Sequence, residues 1–128
     1  MTNEAITIVL PLPSARLSPN RPVMTRGGRI AKAVETKKYR ANAKAVAEAV
    51  GLESGPWAKA RASEVFFWPD KRRRDVRNAE ARMKPAFDGI VDAGVLADDS
   101  ADHLTHLPTE FEVDRQNPRV EIRIERVS

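Results

Sequence analysis

A single α+β domain, with a small sheet of about four strands packed against two main helices, is the fold class that the sequence predicts. Three observations carry it: β-branched apolar runs near both ends of the chain, two stretches of helical apolar spacing between them, and glycine or proline at most boundaries. The chain of 128 residues fits one domain, residues 1–128, and can bury an ordinary core without staples. A hydrophobic content of 41% beside 31% charged residues is that of a globular protein, not of a disordered tail.

The first strand covers residues 5–10, and Pro11 and Pro13 close it. Residues 14–30 are rich in Pro, Gly, Ser and Arg and are expected to form a basic loop or arm, with Gly27-Gly28 as a tight hairpin turn. Residues 36–50 carry Tyr39, Ala43, Val46, Ala47 and Val50 on one helical face, and Gly51 stops that helix. Residues 61–68 hold Val65, Phe66, Phe67 and Trp68 ahead of Pro69 and read as a second strand.

The second helix spans residues 78–93. Ala79, Met83, Ala86, Phe87 and Ile90 form its apolar stripe, Gly94 ends it, and Pro85 inside it is expected to kink its axis. Residues 104–113 and 119–127 are two closing strands around a turn at Asn117-Pro118. The last alternates Val120, Ile122 and Ile124 with Arg119, Glu121, Arg123 and Glu125.

Composition also excludes. Without cysteine there is no disulfide framework, no thiolate nucleophile and no cysteine-ligated zinc. No apolar run approaches the width of a bilayer, so no membrane partner is expected. The start lacks the basic and apolar regions of a secretory signal, and a cytoplasmic location is the expectation. A net charge of +4 is moderate, but its distribution is not even. Lys71, Arg72, Arg73 and Arg74 are consecutive, with Arg77, Arg82 and Lys84 close behind. Arg16, Arg21, Arg26, Arg29 and Lys32 make a looser basic stretch. Such clusters attract a polyanion, phosphate backbones above all, although a single run can equally be a solvated face.

Residues 69–100 concentrate the chemistry. Asp75 lies just before the second helix, Asn78, Lys84 and Asp88 lie on it, and Asp98-Asp99 follow the Gly94 turn. The carboxylates at its two ends lie about 25–35 Å apart along a straight helix, so they converge only if the flanking segments fold back. Carboxylates that hold magnesium supply an activated water and neutralise charge on a phosphoryl group. A lysine adds positive charge at the transition state, and arginines hold a phosphate backbone without reading bases.

This stretch resembles the signature of the RusA family of Holliday junction resolvases: an arginine run into an Asp-x-Asp-Asn box, a helix with a lysine before a Phe/Leu-Asp pair, and an Asp-Asp element beyond a glycine turn. The matching positions are Arg72 to Arg74, Asp75, Asn78, Lys84, Phe87-Asp88, Gly94 and Asp98-Asp99. Leu10 to Ser14 and Pro19-Asn20-Arg21 are similar to the family's first strand and the loop after it.

The resemblance implies a RusA-like fold, an endodeoxyribonuclease activity on four-way DNA junctions, and a homodimer that makes two symmetric nicks. It implies a magnesium ion, with manganese as the alternative, on Asp75, Asp98 and Asp99. It also implies catalytic roles for Asp75, Asp99 and Lys84, and DNA contacts from Arg72, Arg73, Arg74, Arg77, Asn78, Arg21 and Arg26. One position departs from the pattern: Arg77 stands where the box has its second aspartate. Either Asp98, Asp70 or Glu80 fills that gap, or the protein binds junctions and cuts them poorly.

Several of these residues have plainer readings. Asp75 and Asn78 suit a helix N-cap, Asp98-Asp99 a solvated turn, and Lys84 an exposed ladder with Glu80 and Asp88. His103 and His106, three apart on a strand, fall on opposite faces and read as ordinary polar residues. Tyr39, Trp57 and Trp68 read as packing residues, and Met83, Phe87 and Ile90 as core or dimer interface.

Overall fold

A computed structural model describes residues 4–19 and 25–127. The chain runs through β1 (Ala5–Leu10), a 3-10 turn (Ala15–Leu17), α1 (Arg26–Ala49), β2 (Ala60–Trp68), α2 (Val76–Ala81), α3 (Lys84–Asp92), β3 (Leu104–His106), β4 (Glu110–Val113) and β5 (Arg119–Arg126). The α+β class is therefore as the sequence predicts, with a five-stranded sheet.

Alternation builds the sheet's inner face. Ile6, Ile8 and Leu10 of β1, and Val120, Ile122 and Ile124 of β5, point inward at every second position, and their exposed neighbours face water. β5 lies antiparallel between β1 and β2, with Ile8 opposite Ile122 and Phe66 opposite Val120. On its other edge β2 pairs in parallel with β3 over Ala60–Ala62 and then with β4 over Val65–Trp68. The expected single strand over residues 104–113 is thus two short ones. Pro108 lies in the gap between them, where a ladder would require an N–H that proline lacks.

Helices α1 and α3 cover the inner face with Tyr39, Ala43 and Ala47 against Ala86, Phe87 and Ile90. They approach so closely at Gly89 that a Cβ there would collide with the Arg40 carbonyl oxygen. Gly51 (φ 72°) and Gly94 (φ 84°) turn the chain in the left-handed region after α1 and α3, as their places in the sequence require. Tyr39, Trp57 and Trp68 are all buried packing residues.

Two expectations need correction. Gly27-Gly28 do not form a hairpin; they lie in the first turn of α1, where the Thr25 hydroxyl caps the Gly28 N–H at 2.9 Å. That cap and the helix-forming residues behind it outweigh a glycine cost of about 1 kcal/mol each. The expected arm therefore reduces to the 3-10 segment and its surroundings, and Arg21 lies outside the described residues. Residues 78–93 are not one kinked helix either. The chain breaks at Arg82-Met83 and restarts with Lys84-Pro85, so that Pro85 occupies a first-turn position where no N–H partner is needed. Among the described residues no helix is long and apolar enough to cross a membrane.

Candidate active site

β2 ends at Trp68, and the turn after it is fixed by one arginine. The Arg74 guanidinium donates to the Asp70 carboxylate at 2.9 Å and to the carbonyl oxygens of Asp70 and Arg72 at 3.1 and 3.0 Å. It also lies 4.4 Å from the centroid of the Trp68 ring. The Arg72 backbone N–H, aided by Arg74, holds the Asp70 carboxyl below the usual carboxylate range. Of the three consecutive arginines expected on DNA, Arg72 and Arg73 are exposed, whereas Arg74 is engaged in the protein's own turn. Arg26 is exposed on the first turn of α1.

Asp75 is the N-cap of α2 and accepts the Asn78 N–H at 3.1 Å. The Asn78 side chain does not cap. It donates to the Ser18 hydroxyl at 2.8 Å and accepts from Arg82 Nε at 2.9 Å, tying α2 to the segment after β1.

The two faces of α2 line two different clefts. Asp75, Asn78, Ala79 and Arg82, at helical spacings of three and four, face a cleft of about 360 Å³ with Trp68, Arg73 and Arg74. Arg77, Glu80, Ala81 and Lys84 face a cleft of about 420 Å³ with Glu64, Phe87 and His106. Arg77 therefore does not share the cleft that Asp75 lines.

In the second cleft Lys84 bridges carboxylates from two segments. Its ammonium lies 2.5 Å from Asp99 Oδ2 and 2.9 Å from Asp88 Oδ1, and Arg40 approaches Asp88 at 4.0 Å from the far side. The expected ladder is half present. Asp88 is in it, while Glu80 instead accepts from the Thr109 hydroxyl at 2.7 Å. Asp99, and then Asp88, raise the Lys84 pKa above its ordinary value, so Lys84 is a fixed cation at neutral pH and not a proton acceptor. Asp98 is exposed beside this cluster, its carboxyl lowered chiefly by the Asp99 backbone N–H.

No protein-family model matches the chain, and no curated protein matches it.

The three aspartates expected to share a metal are not gathered around one point. Asp75 lines the first cleft, Asp99 is paired with Lys84 of the second, and among the described residues no three acidic or histidine side chains form a metal-holding group. The donor chemistry nonetheless suits a hard cation, which takes carboxylate oxygens and keeps waters in its shell. The space between Asp88 and Asp99 already accommodates one positive charge, the Lys84 ammonium.

One residue of this region, Glu64, escaped the sequence reading, and a second, His106, reads there only as an ordinary polar residue. Glu64 belongs to the inward row Ala60, Ala62, Glu64, Phe66, Trp68 of β2; it is 5% exposed, and its Oε2 has no hydrogen-bond partner. Its Oε1 lies 3.6 Å from His106 Nδ1, and this contact raises the histidine's pKa against the opposing effect of burial. The signal was present in the strand's alternation, which puts a carboxylate at an inward position where charge is rarely found without a purpose. His103, by contrast, lies outside this pair: its ring meets the Ala58 carbonyl oxygen at 2.8 Å, and it helps to lower the Asp98 carboxyl.

Proposed function

We propose that this protein is a magnesium-dependent endonuclease that resolves four-way DNA junctions, working as a homodimer in which each protomer nicks one strand. The observation that carries the proposal is the meeting of Lys84 and Asp99 at 2.5 Å: the RusA-like pattern singles out both, and they come together from separate segments beside a cleft of mixed charge that Arg77, Lys84, Glu64 and Glu80 line.

Lys71, Arg72, Arg73 and Arg26 hold phosphates and give affinity without base reading. Arg77 and Lys84 face the scissile phosphate from the second cleft and stabilise the charge that grows on it. Magnesium, or manganese in its place, would be held by Asp99 and Asp88 once the Lys84 ammonium turns from between them to the phosphate, and would supply an activated water. Asp75 fixes the start of α2, and with it the direction in which Arg77 faces. The cytoplasm remains the expected location.

A second reading rests on Arg77, which stands where the RusA-like pattern has an acid. On that reading the protein binds junctions without turning them over. Magnesium-dependent nicking of a synthetic four-way junction separates the two.

A further inference from the structure

The second cleft holds a group that neither the resemblance nor the proposal above uses. His106, on β3, faces the buried Glu64 of β2, and the Phe87 ring meets the imidazole edge-on at 5.0 Å between centroids. The remaining charged groups around it are Glu80 and Arg77 of α2, Lys84 at the start of α3 and Asp99 beyond its end.

Glu64 is the decisive observation. A carboxylate taken out of water with one oxygen unpartnered is costly unless a cation faces it. The facing side chain is His106, at Nδ1, which leaves Nε2 as the ring's other proton site. A carboxylate at one ring nitrogen fixes the orientation of the imidazole and favours its protonated form. With Arg77 and Lys84 lining the same cleft, a phosphodiester held by these two cations would lie beside an imidazole whose protonated form Glu64 favours.

We infer that His106 is the proton donor to the leaving sugar oxygen in phosphodiester hydrolysis, and that Glu64 is its positioning residue. The inference rests on the nuclease reading of this cleft. Water attacks phosphorus and loses a proton to solvent. The bond from phosphorus to the leaving oxygen breaks, and His106 Nε2–H supplies the proton that makes this oxygen a hydroxyl. The neutral imidazole then recovers a proton from solvent.

The test uses four-way junctions with either the natural phosphodiester or a bridging phosphorothiolate at the scissile position, with sulfur replacing the leaving oxygen. A thiolate departs without a proton. His106→Ala is expected to lose on the order of 10²- to 10⁴-fold in nicking of the oxygen junction and to recover most of that loss on the sulfur junction. For the native chain, the rate on the oxygen junction should fall as pH rises through the His106 pKa. Glu64→Gln should move that fall to lower pH, and an NMR titration of the His106 ring should show its pKa lowered by the same substitution.

Equal slowing of both junctions by His106→Ala, or no slowing, overturns the inference and leaves the nuclease reading standing. If His106→Ala fails to fold, the Glu64→Gln pH profile and ring titration decide alone, and an unshifted profile overturns it. A native chain that nicks neither junction removes both readings.

Discussion

Lys84 and Asp99, fifteen residues apart in sequence, are joined by a 2.5 Å ion pair that closes the turn between α3 and β3 onto the start of α3. The pair exists because the chain breaks before Lys84. In a continuous helix over residues 78–93, Lys84 would lie mid-helix; after the break it begins α3, and the Gly94 turn returns Asp99 toward it.

Asp99→Asn keeps the shape of the turn and removes its charge. Nicking should collapse while junction binding is retained or tightens. Lys84→Ala should slow nicking on the order of 10²-fold, with at most about 1 kcal/mol lost in stability, because the ammonium is 65% exposed. Single-turnover rates and urea melts of both variants check this. A Lys84→Ala enzyme at the native rate would leave Lys84 as a surface ion pair only.

The arginine run should divide into two kinds. Arg72→Ala and Arg73→Ala should each weaken junction binding and reduce the slope of log affinity against log salt by about one. Arg74→Ala should instead lower thermal stability, since it releases the Asp70 turn and uncovers Trp68. Salt titrations by gel shift, paired with melting curves, distinguish them. Three equivalent variants would mean that the pinned turn opens on binding.

Arg77→Asp tests which cleft matters. Arg77 shares its cleft with Lys84, Glu64 and Glu80 and not with Asp75. The variant should bind the junction more weakly and nick it more slowly, with the magnesium midpoint unchanged. A faster variant with a midpoint at lower magnesium would show instead that Arg77 opposes the metal.

The Glu64–His106 pair should make stability depend on pH in one direction. The histidine's pKa is raised above its usual 6.5 by Glu64, so the pair's contribution is complete below that value and is lost as pH rises through the folded-state pKa. In Glu64→Gln this dependence should flatten, and the advantage of the native chain should shrink as pH rises above the histidine's ordinary value and through its raised one. Urea unfolding at several pH values reads it. Parallel curves for the two proteins would contradict the pairing.

Much of this fold is legible in the sequence because it depends on periodicity. The alternation of Val120, Ile122 and Ile124 identifies the inner face of β5, and Gly51 and Gly94 end helices through their permitted φ. What escaped depends on competition between local signals. Thr25 with the residues behind Gly27-Gly28 favours a helix over the turn those glycines suggest, and Pro85 starts a helix where it could equally have kinked one. Within the candidate site, the sequence singled out Lys84 and Asp99 and offered Asp88 as a ladder partner of Lys84, but not the meeting of all three, nor the turn of Glu80 to Thr109. It also could not tell that Arg74 and Asn78 make internal contacts, because such partners are set by tertiary approach. Glu64 was visible as a charge in an inward row, but His106 became its partner only once β3 was laid beside β2.

The most direct test of the central claim is strand scission of a synthetic four-way junction by the purified chain, with and without magnesium, beside a linear duplex of the same sequence. Paired, symmetric nicks in the junction that require the metal are expected, with little cutting of the duplex and loss of both nicks in Asp99→Asn. Tight junction binding with no scission at any magnesium or manganese concentration would contradict the claim and leave a junction-binding protein.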